Sequence, residues 1–227
     1  MSEEELRQRF EELTDEIRQA ERDAGRPAGS VHLLPVTKGQ PLELVTLALG
    51  LGLTELGESY VQECRAKASE LELQGSPQVG WHLLGHLQSN KTGRAARLFQ
   101  TVESVDSLEL ARRLGRARVG LPPLPALLEV ALTGLPGRSG LVPEALLGQL
   151  DDLLAVEGIV IEGLMTVALS GNPAPAFQAC RQLLEQLRHR SGRTLPTLSM
   201  GMSQDFPVAI QEGSTEVRIG TRLFGPR

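Results

Sequence analysis

The sequence predicts an α/β protein, a (β/α)8 TIM barrel with an extra N-terminal helix, built as a single domain over residues 1–227. Three observations lead there. Short apolar runs alternate with amphipathic stretches eight times, and such alternation calls for a parallel sheet with crossover helices. Eight units in 227 residues suit a closed barrel, for which about 250 residues is usual. The turn after the first strand reads Thr37-Lys38-Gly39-Gln40-Pro41, without the GxGxxG expected of the rival, an open doubly wound sheet.

The elements follow in order. Leu6, Phe10, Leu13, Ile17, Ala20 and Ala24 step by threes and fours, one apolar stripe of a helix. Ser2 and Glu5 have capping-box spacing at its start, and Gly25 and Pro27 end it. The first strand is read over Val31 to Val36, with a helix over Leu42 to Leu51. Thr54 to Leu56 is a short strand, then a helix runs from Tyr60 to Leu73. Gly80 to Gly85 precedes a helix from Asn90 to Phe99. Thr101 to Val105 precedes a helix from Leu108 to Arg118. Pro125 to Leu132 is a strand, and one helix carries Leu146, Leu147, Leu150, Leu153 and Leu154. Ile159 to Met165 precedes a helix bearing Phe177, Cys180, Leu184 and Leu187. Leu195 to Met200 precedes a helix through Val208 and Ile210, and Thr215 to Ile219 is the last strand.

Composition removes several function classes. Lys plus Arg number 23 against 28 Asp plus Glu, a net charge of −5, so binding to nucleic acid by bulk electrostatics is not expected. Five Phe, one Tyr and one Trp are too few for a base-stacking platform. No stretch approaches a membrane span, and the segment to Asp23 has no signal-peptide core. Cys64 and Cys180 sit far apart in helical patterns and read as reduced thiols of a cytoplasmic protein. No CxxC or HExxH occurs, so no metal is expected; His82 and His86 straddle a strand end with no third ligand in view. A His86/Asn90 polar cluster lining the barrel mouth is the expectation there.

Chemistry in such barrels sits where strands end. Lys38 directly follows the first strand, in a chain whose other lysines are Lys67 and Lys91. It reads either as a solvated loop lysine or as a partly desolvated amine that attacks aldehydes. The seventh strand runs into Ser199-Met200-Gly201-Met202-Ser203 and the eighth into Arg218-Ile219-Gly220-Thr221. Small and hydroxyl residues there leave backbone N–H groups open to an anion, at the recurrent phosphate position of the fold. Ser203 alone also suits a helix cap, and Arg218 a strand-end ion pair. An amine and a phosphate cup that are neighbours across the barrel closure fit a ligand with both aldehyde and phosphate, which is pyridoxal 5′-phosphate.

On the segments VTKGQP at 36–41, GESYVQE at 57–63, WHLLGHLQSNK at 81–91, SVDS at 104–107, GLMT at 163–166, LSMGMSQDFPVAI at 198–210 and VRIGTRLFG at 217–225, the chain resembles the YggS/PROSC family of pyridoxal-phosphate homeostasis proteins. The resemblance implies a barrel like the N-terminal domain of alanine racemase, with Lys38 holding the cofactor as a Schiff base. It also implies Ser199, Met200, Gly220 and Thr221 at the phosphate, Arg218 facing the pyridine nitrogen, and Ser59 and Met165 beside the cofactor. Ser59 stands where the family usually has Asn, Thr37 replaces a common serine, and Arg138 stands where many members have lysine. The implied role is control of the vitamin B6 pool, by holding the cofactor and handing it to others, with no catalytic residue. Enzymes that make the cofactor and apo-enzymes that use it would be the partners, and the chain is expected to be a monomer. The alternative is an amino-acid racemase. That chemistry needs a second acid/base, whereas the only tyrosine is Tyr60, Arg218 weakens the cofactor as an electron sink, and the barrel uses the whole chain.

Overall fold

The computed structural model describes residues 1–133, 139–169 and 171–226; Arg138 lies outside them. Helix α1 spans Glu3–Asp23 and starts on a complete capping box: Ser2 Oγ accepts from the Glu5 amide at 3.1 Å, and Glu5 accepts from the Ser2 amide at 2.7 Å. Its buried stripe of Leu6, Leu13 and Ile17 packs with Phe206, Ile210, Leu223 and Phe224, so the extra helix covers the barrel's outer wall. Glu21 is wholly buried and accepts from the amides of Gly29 and Val31, which pins the chain's turn into the first strand.

Eight strands follow: β1 (His32–Pro35), β2 (Glu55–Glu58), β3 (Gly80–Leu83), β4 (Thr101–Val105), β5 (Leu124–Val130), β6 (Ile159–Thr166), β7 (Thr197–Ser199) and β8 (Glu216–Ile219). All pair in parallel, in the order β1-β8-β7-β6-β5-β4-β3-β2. A bridge between Val36 and Gly57, with the Thr37 amide on the Gly57 carbonyl at 2.9 Å, brings β1 back to β2 and closes the barrel. The helices between strands are α2 (Leu42–Gly50), α3 (Val61–Leu73), α4 (Thr92–Leu98), α5 (Leu108–Ala117), α6 (Pro143–Gly148), α7 (Leu150–Leu154), α8 (Ala174–Ser191) and α9 (Phe206–Gln211), and α10 (Thr221–Phe224) follows β8. The expected fold class is the one observed.

Local differences have local causes. The single helix expected after β5 is two, broken at Gln149, which follows Gly148; the Leu147 carbonyl freed there accepts from Arg190 at 2.7 Å. The helix expected from Asn90 begins as a 3-10 turn, Ser89–Lys91. Among the described residues no helix is long and apolar enough to cross a membrane.

Side chains alternate across each strand. In β8, Val217 and Ile219 join the outer core with α1, so Glu216 and Arg218 face the barrel interior. That one strand therefore sends an acid toward one end of the barrel and a base toward the other.

Candidate functional site

A cavity of about 540 Å³ opens at the C-terminal ends of the strands, a size suited to a small ligand. Lys38, Ser59, Met165, Arg218, Gly220 and Thr221 all line it. Six of the eight expected site residues therefore meet, although they come from loops after β1, β2 and β8 and from β6 and β8 themselves.

Lys38 is half-buried and its flanking segment is clamped from below. The buried ammonium of Lys67 on α3 donates to the Thr37 carbonyl and Glu58 Oε1, both at 2.7 Å, and to Glu63 Oε1 at 2.8 Å. Thr37 Oγ1 donates to Glu58 Oε1 at 2.7 Å, and the Gly39 amide to Glu63 Oε1 at 2.6 Å. The residues on both sides of Lys38 are thus held by one network. Burial pushes the Glu58 carboxyl above its ordinary range, and the bonds from Lys67 and Thr37 offset this only in part. Glu58, Glu63 and Lys67 were not singled out from the sequence. The signal that could have found them is the lysine four residues after Glu63 on α3, a helical ion-pair spacing.

Arg218 is buried and held in place. Its Nη1 donates to Ser199 Oγ at 2.7 Å and its Nη2 to the Thr166 carbonyl at 2.8 Å. It is neither a surface residue nor a strand-end ion pair. Ser199 Oγ in turn donates to Glu103 Oε2 at 2.7 Å, and Glu103 Oε1 lies 2.9 Å from His82 Nδ1. Burial alone would raise the Glu103 pKa; the hydrogen bond and charge of His82, with Arg218 behind, reverse this and hold it low. Burial works against the charged form of His82, and Glu103 overcomes it, raising that pKa.

Two expected phosphate ligands lie elsewhere. Ser199 and Met200 are fully buried and outside the cavity lining. The Ser199 hydroxyl is spent on Glu103, and the Met200 amide donates to the Glu216 carbonyl at 3.1 Å. Both lie too deep along the barrel: Ser199 turns inward, Met200 packs in the apolar core, and the chain reaches the cavity only after Gly201. There φ is +96°, and a Cβ would stand 2.5 Å from that of Ala209, so glycine is required. Met202, Ser203, Gln204 and Asp205 line the cavity instead. Ser203 does not cap α9; its Oγ accepts from the Arg222 amide at 3.3 Å, tying the β7 loop to α10.

The His86/Asn90 cluster is not at the cavity either. Both are exposed, and His86 Nδ1 lies 2.8 Å from Asp106 Oδ2. Gly85 between the histidines serves packing: a Cβ there would stand 2.3 Å from the Ser59 carbonyl. His82 turns into the barrel interior, where Glu103 and Glu216 surround it, two neighbours that no local spacing announces.

Known proteins resemble this chain over most of its length. Residues 8–227 match the family model described as alanine racemase, N-terminal domain. The pyridoxal phosphate homeostasis protein of Pseudomonas aeruginosa is 41% identical over 212 residues, 93% of this chain and 91% of its own. That of Vibrio cholerae is 37% identical over 228 residues, 98% of this chain and 96% of its own. The structure of PipY from Synechococcus elongatus, solved with PLP bound, superposes with a TM-score of 0.81 at 38% identity, covering 92% of this chain and 98% of that one.

Proposed function

Since the chain belongs to the pyridoxal phosphate homeostasis protein family, on the alanine racemase N-terminal-domain fold, we propose that it binds pyridoxal 5′-phosphate in the C-terminal cavity and serves the cofactor pool as a carrier rather than a catalyst. One observation carries the site: Lys38 and Arg218 line the same cavity as Ser203, Gly220 and Thr221. An amine, a fixed guanidinium and a cluster of small and hydroxyl residues suit the aldehyde, the ring nitrogen and the phosphate respectively.

In this reading Lys38 is the amine that joins the aldehyde as a Schiff base, and the network around Lys67 positions it. Gly220, Thr221 and Ser203 hold the phosphate, while Ser59 and Met165 flank the ring. Ser199 acts from behind by orienting Arg218, and Met200 by fixing the β7 end. When bound, the cofactor supplies an electrophilic carbon and an electron-accepting ring. Arg218 does not release a proton at working pH. A ring nitrogen facing it stays unprotonated and accepts electrons weakly, which supports carriage over racemisation.

The carboxyl in the described lining is that of Asp205, and its engagement by a loop amide favours a positioning role over that of the second acid/base a racemase needs. Tyr60 is 64% exposed and outside the lining. Asp205 lines the cavity, but its Oδ1 accepts from the Met202 amide at 2.6 Å. We take the carrier to act as a monomer in the cytoplasm, receiving the cofactor from the enzymes that make it and passing it to apo-enzymes.

The test is a titration of the purified chain with pyridoxal 5′-phosphate, followed by an assay of α-hydrogen exchange on amino acids. One equivalent bound, with exchange no faster than free cofactor gives, is the expected result. Absence of binding would remove the reading, and rapid, substrate-specific exchange would make the protein an enzyme.

A further inference from the structure

The opposite end of the barrel holds a second cavity, about 360 Å³, at the N-terminal ends of the strands. Four glutamates line it (Glu55, Glu103, Glu162 and Glu216) with two histidines, His32 and His82; its described lining contains no lysine or arginine. At its inner end one ligand atom each from His82, Glu103 and Glu216 lie within 4.8 Å of one another, and all three residues are buried, at 8%, 0% and 6% exposure. Glu216 Oε1 is buried without a hydrogen-bond partner among the described residues. A carboxyl oxygen buried without a partner beside a carboxylate is tolerated only with a proton or a cation in the gap.

We propose that His82, Glu103 and Glu216 form a binding site for a first-row divalent cation such as Zn2+ or Mn2+, separate from the cofactor cavity. One imidazole and two carboxylates are a mixed nitrogen and oxygen set that these ions accept. His82 Nδ1 and Glu103 Oε1 are 2.9 Å apart; two ligands ~2.1 Å from one ion stand about 3.0 Å apart at an octahedral centre and about 3.4 Å apart at a tetrahedral one, so the pair opens by about half an ångström or less on binding. In the absence of metal one proton bridges that pair and another sits on the Glu216 carboxyl. Binding releases both to solvent, and the cation takes their place with Glu216 Oε1 as the third ligand.

The surroundings support the site. Ser199 Oγ donates to the other oxygen of Glu103 at 2.7 Å and fixes the carboxylate's orientation, as outer partners of metal ligands do. Arg218 stands behind that hydroxyl and opposes the cation's charge. The four glutamates of the cavity outweigh it, and Glu55 and Glu162 mark the path from solvent. His32 bonds Glu55 at 3.1 Å at the rim.

The test uses the full chain, stripped with a chelator and titrated calorimetrically with Zn2+ at neutral pH. One equivalent is expected to bind, with affinity lowered at least about tenfold in Glu216→Gln. His86→Ala, which removes the exposed His86/Asp106 pair, is expected to leave that equivalent in place. Circular dichroism of Glu216→Gln in chelator checks that the variant folds. Electron paramagnetic resonance of the wild-type chain loaded with Mn2+ gives an independent reading, and coupling to one imidazole nitrogen is expected. No saturable equivalent, unchanged affinity in a folded Glu216→Gln, loss of the equivalent in His86→Ala, or Mn2+ without nitrogen coupling would each overturn the site.

Discussion

At its C-terminal mouth the barrel presents Lys38 and Arg218 around the larger cavity; at its N-terminal mouth it presents four glutamates and two histidines around the smaller one. The same eight strands supply both. Glu216 and Arg218 are two residues apart on β8, on one face of the strand, yet each serves a different mouth. Ser199, on the neighbouring strand, joins the ends by donating to Glu103 and accepting from Arg218. A closed barrel thus separates charge along its axis while keeping a short hydrogen-bonded path between the halves. The cationic mouth suits a phosphorylated aldehyde, and the anionic mouth suits a metal ion.

Substitutions can break this division or sharpen it. Lys67→Met carries the largest expected effect. It strands the buried Glu58 carboxylate, which costs about 3–5 kcal/mol in urea unfolding, and it loosens the segment around Lys38. The N-terminal cavity is expected to be untouched, so Zn2+ binding should persist while cofactor binding weakens; equal damage to both would mean the mouths are not independent. Glu58→Gln is milder and reports on pH. The folded pKa of Glu58 lies above its ordinary value of 4.5, so the native state holds that proton more tightly than the unfolded chain. Its contribution to stability is complete below about 4.5 and is lost as pH rises through the folded value. The variant should flatten that part of the stability–pH curve.

Ser199→Ala cuts the path between the mouths and leaves Arg218 and Glu103 each short of a partner. A loss of about 1–3 kcal/mol in thermal or urea unfolding is expected, with a change in the bound cofactor's absorption spectrum. An unchanged spectrum would show that Ser199 does not set the position of Arg218. The smallest effect is expected of Ser59→Asn, which restores the longer side chain usual in the family at the cavity wall. It should tighten cofactor binding by about 0.5–1.5 kcal/mol, read in an absorbance titration, without altering stability.

The sequence revealed the barrel because alternation and helical periodicity are local. It also pointed to Lys38, Arg218, Gly220 and Thr221 as candidates, because strand ends are where such barrels place their chemistry, and all four line the C-terminal cavity. It placed Ser199 and Met200 at the mouth because the end of a three-residue strand gives little pattern to read; Ser199 turns inward to Glu103, Met200 packs in the apolar core, and the chain reaches the cavity two residues later, at Met202. The Glu58/Glu63/Lys67 clamp and the His82/Glu103/Glu216 cluster escaped for different reasons. The clamp lies within nine residues of β2 and α3, but an i,i+4 ion pair reads in sequence as a solvated helix face; the cluster joins three strands, β3, β4 and β8, and charged residues inside a barrel look the same in sequence as charged residues on its surface.

The central claim is that Lys38 holds the cofactor at the C-terminal mouth. Borohydride reduction of the chain after incubation with pyridoxal 5′-phosphate, followed by peptide mass analysis, tests it most directly. The account predicts one reduced adduct, on Lys38, and none in Lys38→Ala. A principal adduct on Lys67, Lys91 or the N-terminus, or a full adduct surviving in Lys38→Ala, would contradict it.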